Sequence, residues 1–65
     1  MREIRRRIGE LGVTYYQVWL RYVSFGGRAD LFEFEAYLEE LLTPEPFEIA
    51  LIAHALWEMD EFGTE

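Results

Sequence analysis

The stretch Gly9-Glu10-Leu11-Gly12-Val13-Thr14-Tyr15-Tyr16-Gln17-Val18 decides how this chain folds, because it supports two incompatible readings. In the first it is a helix break. Gly12 suits the position just past a helix end, where glycine adopts a left-handed backbone at little cost. Thr14 is a helix N-cap residue, and Gln17 three places on completes a capping box. Val13 and Val18 occupy the two positions of a hydrophobic staple. In the second reading the chain runs straight through. Ile4, Ile8, Leu11, Tyr15, Val18, Tyr22 and Phe25 then form a heptad seam for one long helix. Against that seam, Gly9 and Gly12 would each weaken a helix interior by about 1 kcal/mol relative to alanine. We read a break.

Working outward, the punctuation predicts four short helices, at about 2–11, 15–24, 31–42 and 44–62. Gly26-Gly27 ends the second helix. Asp30 caps the third, with Glu33 completing its box. The inner stripe of the third is Leu31, Phe34, Leu38 and Leu41, joined by Tyr37 and Leu42, while Glu33, Glu35, Glu39 and Glu40 face water. Thr43 caps the fourth, with Pro44 at its first position and Gly63 at its end. The expected fold is all-α: a single domain over residues 1–65, a compact bundle of three to four helices with orthogonal or helix-turn-helix-like packing.

Charge is divided along the chain. All six arginines lie in residues 1–28, which sum to +4 after Glu3 and Glu10. Residues 29–65 carry eleven acids and no Lys or Arg. The acidic balance opposes a membrane-surface or general DNA-coating role for the whole chain. No apolar run approaches the ~20 residues that span a bilayer, and the first five residues are too polar to begin a secretion signal. A cytoplasmic location is expected. Cysteine is absent, so there is no disulfide and no thiolate ligand. Lysine is absent too, which reads as codon bias before it reads as selection for bidentate arginine contacts.

Nothing in the chain points to catalysis. Two common nucleophiles, Lys and Cys, are missing, and Ser24 and Thr14 sit at helix boundaries where hydroxyls cap backbone groups. His54 and Glu58 have an i, i+4 spacing that can share a metal, but two ligands do not complete a site. The expectation is no enzyme, no metal, no cofactor and no small-molecule substrate.

Apolar surface is in excess. Eleven of the 65 residues are aromatic, and each ring can bury about 150–250 Å². The fourth helix is apolar nearly all round, with Glu48 and His54 its only polar residues from Phe47 to Trp57. A domain this small has little room to surround such a helix fully. Part of it, or the Tyr16, Trp19, Val23 side of the second helix, is therefore expected at an interface; the alternative reading is that the aromatics make a thick intramolecular core. Tyr16, Trp19, Trp57 and Phe62 are the candidate anchors. Arg2, Arg5, Arg6 and Arg7 form a basic patch with three readings: a solubilising end, a dock for acidic helix three or four within the chain or across a dimer, or a phosphate contact.

The run Arg6-Arg7-Ile8-Gly9-Glu10-Leu11-Gly12-Val13-Thr14-Tyr15-Tyr16-Gln17-Val18 resembles the opening helices of phage-repressor-type helix-turn-helix domains, and Thr43-Pro44-Glu45-Pro46 is similar to the start of their last helix. The resemblance implies an all-helical fold and, in that family, DNA binding. This chain departs from the pattern where bases would be read. Its Asp30–Leu42 segment carries five acids and no Arg, Lys, Asn or Gln. The sequence therefore favours a non-catalytic protein-interaction or regulatory module, a homodimer or the partner of another protein. The alternatives are a DNA regulator contacting phosphates through its N-terminal arginines, and an acidic DNA mimic.

Overall fold

The computed structural model describes residues 1–63 and contains four helices: α1 (Arg2–Leu11), α2 (Tyr15–Ser24), α3 (Leu31–Leu38) and α4 (Pro46–Phe62). The break between α1 and α2 is real, and the single long helix is not formed. Gly12 sits at φ 72° and ψ 26°. Its N–H reaches the Gly9 carbonyl, and the Val13 N–H reaches Ile8 O at 3.4 Å. Those bonds satisfy carbonyls that a helix end otherwise orphans. A residue with a side chain would pay about 1–2 kcal/mol for the same backbone conformation. Across the turn, the Gln17 N–H donates to Thr14 Oγ1 at 3.1 Å and the Thr14 N–H to Gln17 Oε1 at 2.8 Å. The Asp30–Glu33 box at the start of α3 is complete in the same way, at 2.8 and 3.0 Å.

Two boundaries differ from the sequence expectation. The third helix ends at Leu38, not Leu42. Glu40 takes a left-handed backbone at φ 64°, the one non-glycine residue at positive φ among the described residues. The Glu40 N–H then bonds to Tyr37 O and the Leu41 N–H to Ala36 O, the same closing pattern that ends α1. A glutamate stands where a glycine would have signalled the stop. Leu41 consequently leaves the inner stripe and is 78% exposed. The fourth helix begins at Pro46, not Pro44, and Glu45 replaces Thr43 as its N-cap. Proline disfavours helical backbone in the residue before it. Glu45 is accordingly extended, at φ −71° and ψ 156°, and no helix can run through it into Pro46.

Helix α4 contributes the most residues to the core. It packs against α2 and α1, while α3 packs against α2 and α1. The core joins Ile8 of α1, Val18 and Tyr22 of α2, Phe34 and Leu38 of α3, and Ile52, Ala55, Leu56 and Met59 of α4, with Ala29 from the α2–α3 loop. The four α4 residues fall at i, i+3, i+4 and i+7, a single stripe. Only Tyr22 and Phe34 among the aromatics are fully buried, and their centroids lie 5.2 Å apart.

Gly27 makes that burial possible. A Cβ built on Gly27 would fall 2.3 Å from the Tyr22 ring, whereas one on Gly9 meets nothing within 4 Å. Gly27→Ala must displace a buried ring and is expected to destabilise by more than about 2 kcal/mol. Gly9→Ala should stabilise by about 0.5–1 kcal/mol, since it only improves helix propensity. Urea unfolding of both variants checks this pair, and equal effects would contradict the role assigned to Gly27.

Candidate functional site

The four anchors expected from sequence fall into two pairs on two helices. On α4, Trp57 is 52% and Phe62 74% exposed, and their rings meet edge to face at 5.9 Å. This pair extends into a row. His54 stacks on Trp57 at 5.8 Å and meets the Phe25 edge at 4.6 Å. Phe25, at the end of α2, and α4 thus carry four linked rings at the surface. On α2, Tyr16 is 53% exposed and lies 5.8 Å from Trp19. Trp19 is partly buried against the core, and its indole N–H donates to Ala29 O at 3.0 Å. Leu20 and Val23 are exposed beside them. Tyr16, Leu20 and Val23 stand at i, i+4 and i+7, a stripe along the outer face of α2. Among the described residues no ring contact joins the two pairs.

Along α1 lies a groove that sequence reasoning did not anticipate, bounded by α4 at one end and by the α3–α4 connection at the other. One hollow of about 630 Å³ is floored by Ile4, Tyr37, Leu42, Pro44 and Ile49. A second of about 370 Å³ is lined by Ala53, Leu56, Trp57, Arg7 and Asp60. Both share Glu3 and Ile4 on the α1 wall, so they follow one another along that helix. The only signal of this groove was the surplus of apolar residues around α4. Leu42 and Pro44, which follow the early end of α3, line the first hollow together with Ile4 and Ile49.

Three arginines, Arg5, Arg7 and Arg21, reach acids in the second half of the same chain. Arg5 reaches Glu39 and Glu40, at 3.6 and 3.7 Å, beyond the end of α3. A cation there also complements the helix dipole. Arg6 pairs with Glu3 at 2.5 Å and Glu10 at 3.0 Å within α1. Arg7 bonds Glu10 and, across to α4, Asp60. The Arg6 guanidinium holds the Glu3 carboxyl below its ordinary range. Arg21 of α2 bonds Glu58 of α4 at 2.6 Å, so the carboxylate that could have joined His54 at a metal is engaged. Of the four patch residues, Arg2 alone makes no ion pair among the described residues. Of the patch, Arg5 and Arg7 thus meet acids of the second half of the chain, whereas Arg6 pairs within α1.

Beneath the α2 stripe runs a polar chain that the sequence did not reveal. Tyr22 Oη donates to Glu48 and accepts from the Ala29 N–H at 2.9 Å. The Ala29 peptide is therefore held at both ends, by Trp19 and Tyr22, which fixes the indole at the surface. Burial, and then the neighbouring Glu48 carboxylate, push the Tyr22 phenol up from 10 to about 12.

An acid that ionises later in the fold than in the open chain favours the fold while it stays protonated. The contribution is full below pH 10 and is lost as pH rises from 10 to about 12. Stability should fall by about 2–3 kcal/mol across that window. Tyr22→Phe should be weaker at neutral pH and lose most of this slope. Urea midpoints at several alkaline pH values check it, and an unchanged slope in the variant would assign the effect elsewhere. Comparison with known protein families, with curated proteins and with solved structures finds no match.

Proposed function

We propose that this chain is a non-catalytic interaction module that works by self-association, with a dimer as its first step. The observation that carries the reading is the linked row Phe25, His54, Trp57 and Phe62 at the surface, two of whose rings are more than half exposed. It belongs to a wider pattern. Phe32, Phe47, Leu41, Leu42 and Leu20 are also exposed on a molecule of only 28 × 22 × 18 Å. Apolar area removed from water stabilises a contact by about 25 cal/mol per Å², and aromatic anchors concentrate that gain. A contiguous apolar surface rimmed by charge is the usual mark of a protein interface.

The charge split does not orient the partner in this reading, because most of the arginines are engaged inside the fold. Each copy then meets the next with a net charge of −7. Like charge opposes the contact and apolar burial drives it. Salt screens the first and leaves the second intact. This reverses the behaviour of phosphate binding, which weakens steeply as salt rises.

Sedimentation from low to high micromolar concentration should show mass rising above the 7.8 kDa monomer, more strongly in high salt than in low. A 7.8 kDa species at every concentration and salt would overturn the proposal. Association that weakens with salt would show that charge, not the aromatic surface, drives it.

A further inference from the structure

Resting on self-association through the aromatic row, we infer that His54 regulates it: protonation of His54 separates the copies. The row Phe25, His54, Trp57, Phe62 holds one ionisable side chain, and His54 is the only histidine in the chain. It lies inside the row, not at its edge. Its ring meets Phe25 at 4.6 Å and stacks on Trp57 at 5.8 Å, while Phe62 follows beyond Trp57. A surface that covers Phe25 and Trp57 therefore also covers the imidazole between them. In the separate copy His54 is exposed, and water solvates either of its forms.

The surroundings offer the charged form no partner. Glu58 stands one turn further along the same face of α4, but its carboxylate is bonded to Arg21 of α2 at 2.6 Å. Arg21 is the only charged residue of α2, the helix whose end carries Phe25. Glu61 lies at i+7, about 10 Å along the helix axis, beyond the reach of an ion pair with His54. Helix α1 also packs on α4, but its Glu3 and Arg7 line a hollow with Trp57 and Asp60 that does not include His54, and Arg7 is bonded to Asp60. Among the described residues no ion pair involves His54.

Two effects of a proton on His54 oppose each other. It adds one positive charge to a copy whose net charge is −7, which eases the repulsion between copies. That repulsion is spread over the surface, and salt screens it beyond about 10 Å. The other effect acts at the contact itself. A neutral imidazole is covered along with its neighbouring rings, but an imidazolium must give up its water with no carboxylate to receive it. Burying an unpaired charge is far costlier than easing a screened one. In a two-fold contact the same patch serves both copies, so two such charges are buried together. The contact decides the sign, and acid opposes association. Histidine changes charge between pH 5 and 8, so the device works near neutrality.

The test is sedimentation at pH 7.5 and 5.5, at fixed salt, of the wild type, His54→Gln and His54→Lys. The position is an exposed one on a helix, and circular dichroism at both pH values verifies that each variant folds. The wild-type dissociation constant should rise at least about tenfold on going to pH 5.5, because each dimer that forms releases up to two protons. His54→Gln, neutral throughout, should associate at both pH values without that change. His54→Phe, which keeps a ring, is the alternate if the Gln variant loses association. His54→Lys, charged throughout, should associate weakly at both.

A wild type that associates as well or better at pH 5.5 would overturn the switch. So would a Gln or Phe variant with the same acid weakening, or a Lys variant that matches the wild type at pH 7.5. Each of these leaves self-association standing. A wild type that stays monomeric at both pH values and every concentration would overturn both the switch and the proposed function.

Discussion

One buried side chain ties the architecture together. Tyr22 lies fully inside, against Phe34 of α3, and its ring occupies the space that any side chain at position 27 would need. Its hydroxyl accepts from the Ala29 backbone and donates to Glu48 on α4. A phenol can be buried in a small apolar core only if its hydroxyl finds partners. Here the partners come from the next loop and from α4. Tyr22 thus sets the path of the α2–α3 loop, the height of α3 and the register of α2 on α4. The outer stripe of α2, on the opposite side of the same helix, is held in place as a consequence.

Electrostatics work in the same direction. The basic first 28 residues fold onto the acidic remainder, through Arg5 to the end of α3, Arg7 to α4 and Arg21 to α4. Exposed pairs contribute little individually, about 0–1 kcal/mol. Their value lies in choosing one docking of α1 and α2 on the acidic helices over others. What is left outside is mostly acidic and apolar.

The helices were legible wherever a local signal existed. Thr14 with Gln17, Asp30 with Glu33, and Gly12 each act through backbone groups within a few residues, so the letters suffice. The two misplaced boundaries lack such a signal or carry a competing one. Glu40 is left-handed without being glycine. Thr43-Pro44 imitates a helix start, but Pro46 forces Glu45 into extended backbone. The exposure of Tyr16, Trp57 and Phe62 was also legible, as apolar residues beyond what so short a chain can enclose. Trp19 was legible only in part, since its bond to Ala29 depends on the fold.

By itself, the sequence determined an all-helical chain, its α1–α2 break, its capping boxes and its apolar surplus. Each of these follows from backbone chemistry and periodicity over a few residues. Only the tertiary structure decided where that surplus lies: a row of rings along α4, a stripe along α2, and a groove along α1. It alone decided, too, that the arginines meet the chain's own acids. Those outcomes depend on contacts between residues up to 53 positions apart, such as Arg7 with Asp60. No local pattern encodes distances of that kind.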